Sequence, residues 1–509
     1  MSTNDDMTRK TPSLRLATIN GLLWSFADRV GFRSAQFVFG VILARILSPQ
    51  EFGLFGMMAI VVAIGQTLAN GGFGHALIQS QTVSRDDESA VFFFNLAIGA
   101  SMTIAIVLCS PLVAAFFAKD QIEPLLRVLA FVVLIGSFSV VPHVQLQKEL
   151  QFKTQTKISV ASTVLSGILG IACAFNGLGV WSLVAQALCQ QTVKASLLWL
   201  LSPWRPLWSF RLAPLRRMMP FGLPILLIGV VENVFRNIHT VIIGRYFTVA
   251  DVGVYRQAWS LQQIPSQSLS QTVANVAFPV LSKLQEDRKR LVSALRESIR
   301  YLALVNFPVM LGLVAIAEPL VDVLLGPKWH DSIPYLRLLA IVGMLYPFQV
   351  TNINALKAVG RTDVMLWLTV IKRITAVAFI FATYRYGVTG LIYGQIAQAI
   401  LSYVINSIAV GIFIEYGTVR QIRDLLPAFA AASLMTALVA VSGEWLTWPY
   451  LPPFVAQSVR LIAQIAMGMI LYSLLCSWFR IPAYGELVNL LGSRLNRLLA
   501  KAGWVHKQT

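Results

Sequence analysis

The feature that most constrains this chain is a recurring apolar run of about 20 residues, the length of a helix that crosses the hydrocarbon core of a bilayer. Only 13% of the 509 residues are charged, whereas about 25% are charged in a typical soluble protein. The pattern predicts an all-α integral membrane protein with about 14 transmembrane helices and no separate soluble domain. The predicted spans, numbered 1 to 14, are 16–45, 50–72, 88–117, 124–146, 158–176, 179–201, 218–244, 252–280, 300–325, 334–356, 364–384, 388–414, 425–443 and 454–479.

The basic residues predict how the spans are oriented. Cytoplasmic loops of membrane proteins carry an excess of lysine and arginine, and most of the 41 lysines and arginines fall at the termini and in alternate connections. We therefore expect both termini to be cytoplasmic. Because the positive charge follows the membrane normal and lacks an aromatic binding patch, we expect no nucleic-acid partner. The opposite connections carry few basic residues, namely Arg45, Lys119, Arg245, Lys328 and Arg385.

An internal repeat divides most of the chain into two similar parts. The segment 45–55 matches 245–255, and shorter matches follow in the same order. The repeat predicts two six-helix bundles of the same orientation, related by a pseudo-two-fold axis along the membrane normal. Two additional transmembrane helices follow the second bundle. The expected parts are a cytoplasmic N-terminus at 1–15, bundles at 16–201 and 218–414, a cytoplasmic linker at 202–217, the additional helices at 415–480 and a basic amphipathic tail at 481–509.

Spans 1 and 7 occupy matching places in the repeat, and both carry ionisable residues. Charged groups inside a membrane are costly, so they are candidates for function by default. Span 1 contains Asp28, Arg29 and Arg33, and span 7 contains Glu232 and Arg236. In each span a carboxylate and an arginine lie four or five positions apart, close to one face of the helix. Such a set could line a polar cavity, or it could form structural ion pairs between packed helices.

Span 8 carries a polar stripe at helical spacing. Its amides suit the hydroxyl groups of sugars, because an amide both donates and accepts hydrogen bonds. The alternative is that these side chains join neighbouring helices by hydrogen bonds. Basic and amide residues of spans 2, 6 and 11 extend the candidate lining. The residues are Arg256, Gln263, Gln267, Ser270 and Gln271 on span 8, Lys372 and Arg373 on span 11, Lys194 on span 6, and Gln66 and Asn70 on span 2.

Other motifs are absent from the sequence. The five histidines lack the spacing of metal ligands, so we expect no metal site. No Walker motif occurs, so we expect no ATP hydrolysis by the chain itself and no cofactor.

A series of short blocks in order resembles a known family. The blocks are LARILSPQEFGL at 43–54, GHALIQ at 74–79, LSPWRP at 201–206, IGR at 243–245, FPVLSKLQ at 278–285 and EPLV at 318–321. They are similar to the polysaccharide-biosynthesis flippases of the multidrug/oligosaccharidyl-lipid/polysaccharide exporter superfamily, of the type found in lipopolysaccharide and exopolysaccharide operons.

The resemblance implies a flippase in the bacterial inner membrane. Such a protein moves an undecaprenyl-pyrophosphate-linked oligosaccharide from the cytoplasmic to the periplasmic leaflet by alternating access. It also implies that cationic side chains, here Arg29, Arg33, Arg236 and Arg256, bind the diphosphate, and that Asp28 or Glu232 couples transport to protons or sodium ions. Implied partners are the lipid-linked oligosaccharide, membrane lipids, and the polymerase and export machinery of the polysaccharide.

Three other functions compete with this interpretation. A multidrug or cation antiporter of the same superfamily would favour an acidic cavity, whereas the predicted spans contain more basic than acidic residues. A membrane glycan polymerase would be expected to carry a large extracytoplasmic loop with catalytic acids, and the predicted loops on that side are short. A structural scaffold would not need a polar interior. We therefore expect a carrier and not an enzyme.

Overall fold

The computed structural model describes residues 31–80, 83–208, 213–446, 448 and 450–489. These residues are almost entirely helical, and no strand occurs among them. The predicted Asp28 and Arg29, and most of the predicted amphipathic tail, lie outside the described residues.

The chain forms two compact units, which divide between Gly253 and Val254. The helices of the first unit are α1 (31–46), α2 (Pro49–Asn70), α3 (Phe73–Gln79), α4 (Arg85–Phe117), α5 (Ile122–Leu129), α6 (Phe131–Ser137), α7 (Val140–Lys148), α8 (Phe152–Phe175), α9 (Trp181–Leu201) and α10 (Ala213–Tyr246). A long helix, α11 (Val249–Lys283), begins in the first unit and continues into the second. The remaining helices are α12 (Arg288–Ala315), α13 (Ala317–Leu324), α14 (Ser332–Ala358), α15 (Thr362–Thr383), α16 (Gly387–Ile414), α17 (Thr418–Trp445) and α18 (Pro453–Trp478).

Wherever the structure describes a predicted span, the span coincides with a helix or a run of helices, which confirms an all-α membrane protein. Ten helical stretches among the described residues are long and apolar enough to cross a membrane. The number fourteen and the domain bounds taken from the repeat stay predictions. The helix α10, placed by the repeat in the second bundle, packs against α2, α3 and α4 of the first unit.

Span 4 is one apolar run in the sequence but three short helices in the structure, α5, α6 and α7. Proline has no backbone N–H, and its ring clashes with the carbonyl group four residues earlier. Pro142 therefore cannot bond to the carbonyl oxygen of Phe138, and the helix breaks there. The indole N–H of Trp199 donates to this carbonyl oxygen at 3.0 Å, which ties α9 to the break.

The strongest repeat in the sequence has a local structural explanation. Ser48 and Glu51 cap each other's backbone N–H at the start of α2. Thr248 and Asp251 make the same reciprocal pair at the start of α11, with bonds of 3.0 and 3.1 Å. Each pair satisfies two backbone donors that the first turn of a helix leaves without partners. Each copy of the repeat therefore contains the capping pair at which a helix begins.

The two repeated helix starts also touch each other within the first unit. A Cβ added to Gly53 would lie 1.9 Å from the carbonyl oxygen of Val249, and one added to Gly253 would lie 2.0 Å from that of Pro49. Only glycine permits backbones to approach this closely. The two matched glycines therefore allow α2 and α11 to pack backbone against backbone where they begin.

The linker before α10 is folded against the start of α4. The indole N–H of Trp204 donates to Glu88 at 2.7 Å, and both side chains are buried. Ser89 accepts a 2.8 Å bond from the backbone N–H of Leu207. Arg217, in the first turns of α10, pairs with Asp87 at 2.9 Å. These contacts position α10 relative to α4.

The two additional helices belong to the second unit. One continuous apolar core joins side chains of α12, α14 and α16 to side chains of α17 and α18. At the edge of this core the buried carboxylate of Asp424, on α17, accepts hydrogen bonds from Arg296 and Arg300 of α12. The hydroxyl group of Tyr416 donates to the same carboxylate at 2.9 Å.

Candidate functional site

The arginines predicted on spans 1 and 7 lie in the first unit. Arg33 is half-buried on α1, and Arg236 and Glu232 are exposed on α10. Neither arginine forms an ion pair with another described residue, and Glu232 and Arg236 do not bridge each other although they lie one turn apart on the helix. These side chains therefore remain accessible to a ligand, and their assignment to substrate stays a prediction.

The polar residues of α11 divide between two faces. Ser266 donates to the carbonyl oxygen of Gly343 on α14 at 3.1 Å, and Ser270 donates to Ser266 within the helix. The amide of Gln262 lies against Gly343, where a Cβ would be 1.7 Å from its nitrogen. Ser266 and Gln262 therefore tie α11 to α14, whereas Ser270 bonds within its own helix.

The other face of α11 carries the predicted glutamines. Gln263 and Gln267 are half-buried and Gln271 is exposed, and none of the three makes a hydrogen bond with a described residue. Their amides are therefore available to a polar ligand. Arg256 is half-buried near the start of the same helix and has contacts within the protein.

The basic pair predicted on span 11 lies on helix α15, whereas the predicted glutamines lie on helix α11. Lys372 and Arg373 are both half-buried. The backbone carbonyl oxygen of Lys372 accepts a 3.0 Å hydrogen bond from Gln398 of α16. That bond joins α15 to α16 and leaves the Lys372 ammonium group out of the contact.

A polar cavity lies inside the first unit. Its volume is about 500 Å³, and side chains of α1, α2, α5, α6, α8 and α9 line it. Of the residues that the sequence suggested as an extension of the site, Lys194 and Gln66 line this cavity, whereas Asn70 is exposed at the end of α2. The polar lining residues are Gln36, Gln66, Ser159, Ser162, Gln190, Gln191 and Lys194, and the apolar ones are Phe32, Phe55, Ala59, Val62, Ala63, Leu129, Val132 and Ala187.

Close helix packing shapes the cavity walls. A Cβ at Gly167 of α8 would lie 2.3 Å from the ring of Phe39, so the glycine lets α1 approach α8. Gly136 of α6 similarly makes room for the amide of Gln191, which would lie 2.9 Å from a Cβ there. The amide of Gln190 reaches from α9 to Thr163 of α8 at 3.4 Å. These contacts orient the two glutamines of α9.

The described lining of the cavity consists mainly of amides, hydroxyl groups and apolar side chains. Among the described lining residues Lys194 is the one charged side chain, and none is a carboxylate. Amides and hydroxyl groups supply both donors and acceptors. Chemically, the described lining suits a ligand that is rich in hydroxyl groups.

Sequence reasoning missed most of this lining, although a signal was present. Gln190 and Gln191 fall within about one turn of the predicted Lys194, in an otherwise apolar span. The rule that singled out span 8, polar residues at helical spacing in an apolar segment, applies to them equally. Gln36, Ser159 and Ser162 gave a weaker signal, because single amides and hydroxyl groups are common in membrane helices.

A multi-pass helical bundle with a polar cavity inside one of its units is the architecture of a membrane transporter. The family model described as "Polysaccharide biosynthesis protein" matches residues 42–334, more than half of the chain. The chain belongs to this family, as the sequence blocks indicated.

Curated relatives agree with this assignment, and a solved structure has a similar fold. The chain is 28% identical over 477 residues to the succinoglycan biosynthesis transport protein ExoT of Rhizobium meliloti (strain 1021), covering 91% of this chain and 94% of that protein. It is 28% identical over 408 residues to the lipopolysaccharide biosynthesis protein WzxC of Escherichia coli (strain K12), covering 77% of this chain and 81% of that protein. Its fold is similar to that of the lipid II flippase MurJ in an inward closed conformation, with a TM-score of 0.73 at 14% identity over 92% of this chain and all of that chain.

Proposed function

We propose that this protein is a flippase that moves a polyprenyl-diphosphate-linked oligosaccharide from the cytoplasmic to the periplasmic leaflet during synthesis of a cell-surface polysaccharide. The observation that carries the proposal is the polar cavity of the first unit, which offers amides, hydroxyl groups and one ammonium group inside an apolar helical bundle. A lipid-linked sugar needs such a site, because its hydroxyl groups lose their water when they enter the membrane. The names of ExoT and WzxC and the fold of MurJ support the same function.

In the proposed mechanism the protein shelters the headgroup while the polyprenyl chain stays in lipid. The units expose the polar groups to one side of the membrane and then to the other. Arg33, Arg236 and Arg256, with Arg29, hold the diphosphate, since the guanidinium group matches phosphate oxygens in a bidentate way. Glutamines of α11 and the basic pair of α15 contact the sugars. Asp28 or Glu232 couples the cycle to protons or sodium ions.

The cellular setting is part of the proposal. The protein lies in the bacterial inner membrane with both termini in the cytoplasm, and it works beside the polymerase and export machinery of the polysaccharide. It acts as a carrier and performs no covalent chemistry.

A multidrug exporter is the second candidate, because the superfamily contains both kinds of transporter. An exporter of cationic drugs needs acidic groups in its cavity to balance the charge of the drug. The described lining of the first-unit cavity has a lysine and no carboxylate. This lining favours the flippase.

Reconstitution in liposomes tests the proposal. Purified protein is incorporated with a labelled undecaprenyl-diphosphate-linked oligosaccharide, and transfer between leaflets is measured by accessibility of the glycan to an external enzyme. We expect transfer by the wild type and none by protein-free liposomes. Transfer of a cationic dye without transfer of the lipid-linked glycan would instead support the multidrug exporter.

Arginine variants test the residue assignment in the same assay. We expect Arg33→Ala and Arg236→Ala each to lower the transfer rate about tenfold or more, since a hydrogen bond to a charged group contributes about 1.5–3 kcal/mol. Arg216→Ala is the matched control, because Arg216 is exposed near the start of α10. Equal transfer by all three variants would contradict the arginine assignment and leave the flippase proposal intact.

A further inference from the structure

Three glutamines of the first-unit cavity have side-chain amides that helix packing does not use. Gln36 lies on α1, Gln66 on α2 and Gln191 on α9, so side chains of three helices meet at one cavity. None of the three makes a hydrogen bond with a described residue. A polar group that leaves water costs free energy unless a new hydrogen bond replaces the one it lost. A ligand in the cavity can supply these missing bonds.

Other polar groups of the lining already have partners within the protein. The amide nitrogen of Gln190 donates to the hydroxyl oxygen of Thr163 at 3.4 Å. The hydroxyl group of Ser162 donates to the backbone carbonyl oxygen of Ser159 at 3.0 Å. Lys194 also has a contact of its own within the protein. The groups that the cavity offers to a ligand are therefore mainly the three amides, and not the charge of the lysine.

The chemistry of an amide indicates which ligand suits these groups. Each amide presents an NH₂ donor and a carbonyl acceptor. A carboxylate or a phosphate group only accepts hydrogen bonds, and an ammonium group only donates them, so either would leave half of each amide unsatisfied. A hydroxyl group both donates and accepts. Moving a net charge into an apolar bundle is also far more costly than moving a neutral polar group. The best match is an uncharged ligand that is rich in hydroxyl groups.

The shape and the apolar part of the cavity fit one such ligand. Its volume of about 500 Å³ falls within the range of about 300–1,000 Å³ that is common for ligand sites. The rings of Phe32 and Phe55 and the small side chains of Ala59 and Ala63 form an apolar wall. A pyranose ring has the same division, because its hydroxyl groups lie at the edge and its C–H groups lie on the faces.

We infer that the first-unit cavity is a binding site for one uncharged pyranose residue of the glycan, held through its hydroxyl groups by the amides of Gln36, Gln66 and Gln191. This inference rests on the proposed flippase function and names the class of sugar that the protein recognises. It separates sugar recognition by amides from the binding of the diphosphate, which the proposed mechanism assigns to arginines.

Direct binding to the full-length protein in lipid nanodiscs tests the inference. The probes are the methyl pyranosides of glucose, galactose and mannose, the three matching uronates, and inorganic phosphate, and binding is measured by saturation-transfer NMR with titration. We expect at least one neutral pyranoside to bind about tenfold or more tightly than its uronate, because the uronate must lose the hydration of its charge. Phosphate should not displace it. No binding of any neutral pyranoside, equal binding of a uronate, or displacement by phosphate would overturn the inference.

Substitution of the glutamines tests their assignment. Gln36→Leu, Gln66→Leu and Gln191→Leu should each weaken binding of the neutral pyranoside about three- to tenfold, the effect of losing one hydrogen bond between uncharged groups. Gln186→Leu is the matched control, because Gln186 lies on the same helix as Gln191 but packs against α8, where a Cβ at Gly170 would be 3.0 Å from its side chain. Thermal unfolding of each variant shows whether the fold is intact. Unchanged binding in all three variants, or an equal loss in Gln186→Leu, would contradict the site.

The liposome assay then distinguishes failure of this inference from failure of the proposed function. Two lipid-linked glycans are compared that differ only in one sugar, a neutral pyranose in the first and its uronate in the second. The wild type should transfer the neutral substrate faster, and the combined variant Gln66→Leu/Gln191→Leu should reduce this difference. If the wild type transfers both at the same rate, the inference is wrong and the flippase function stands. If it transfers neither while pyranoside binding still depends on the glutamines, the site stands and the flippase function is wrong.

Discussion

Trp204 and Trp208 are four residues apart in the same linker, but only Trp204 is buried. Trp204 is 5% exposed and donates its indole N–H to Glu88, whereas Trp208 is 96% exposed. Glu88 itself is buried, so loss of the donor leaves a carboxylate oxygen without that partner. Leaving a buried polar group unsatisfied costs about 1–3 kcal/mol. The bond from Trp204 to Glu88 is therefore one of the specific contacts that hold the linker in place.

Trp204→Phe should lower the free energy of unfolding by about 1–3 kcal/mol, because phenylalanine has no N–H to offer Glu88. Trp208→Phe should change it by less than about 0.5 kcal/mol, as is usual for an exposed position. Thermal unfolding of the detergent-solubilised protein measures both. Similar melting temperatures for the two variants would show that the bond to Glu88 contributes little.

At the scale of single residues, the sequence predicted which polar side chains are unusual in a membrane span better than it predicted where they lie in the fold. Composition alone indicated that Lys194 and Gln66 were unusual inside apolar spans. It could not place them around one cavity, because that depends on which helix faces meet. Those faces are set by local packing, such as the approach of Phe39 to Gly167, which has no sequence pattern of its own.

The starts of α2 and α11 form a paired element that the repeat preserves. Each has its own capping pair, and Gly53 and Gly253 let the two backbones touch. A methyl group at Gly53 has no room, since it would lie 1.9 Å from the carbonyl oxygen of Val249. Small residues at such contacts allow membrane helices to pack closely. The contact therefore fixes the relative position of two helix starts.

Gly53→Ala should force α2 and α11 apart and lower the free energy of unfolding by about 1–3 kcal/mol, the usual effect of overpacking. Gly40→Ala is the matched control, because a Cβ at this helical glycine meets nothing within 4 Å. That change should leave stability unchanged or raise it, since alanine favours helix by about 1 kcal/mol. Equal melting temperatures for the two variants would contradict a tight contact at Gly53.

Sequence predicted the helices well and their ends less well. Span 3 was expected from residue 88, but α4 begins at Arg85, because Ser84 and Asp87 form a capping pair there. A prediction from hydropathy leaves acidic residues such as Asp87 out of a span. Acidic side chains are nevertheless stabilising in the first turn of a helix, near the positive end of its dipole. Span 4 was expected as one helix but is three, and Pro142 accounts for the break between α6 and α7.

At the scale of the whole molecule, the length of the apolar runs predicted an all-α membrane protein, whereas their number stays a prediction. The sequence did not show where the two additional helices would pack, because lipid-facing and protein-facing apolar surfaces have similar composition. In the structure α17 and α18 share the core of the second unit. Asp424 joins α17 to α12 through Arg296 and Arg300, and its side chain is only 4% exposed.

Asp424→Asn should weaken the attachment of α17 to the second unit. The amide removes the charge that balances two arginines, and breaking a buried ion pair costs about 3–5 kcal/mol. Both arginines are partly exposed, at 48% for Arg296 and 29% for Arg300, so solvent screening reduces the expected loss to about 1–3 kcal/mol. Asp363→Asn is the matched control, because the pair that Asp363 forms with Arg361 is exposed on both sides, and exposed pairs contribute little to stability. Thermal unfolding measures both variants, and an equal effect would mean that apolar packing alone holds the additional helices.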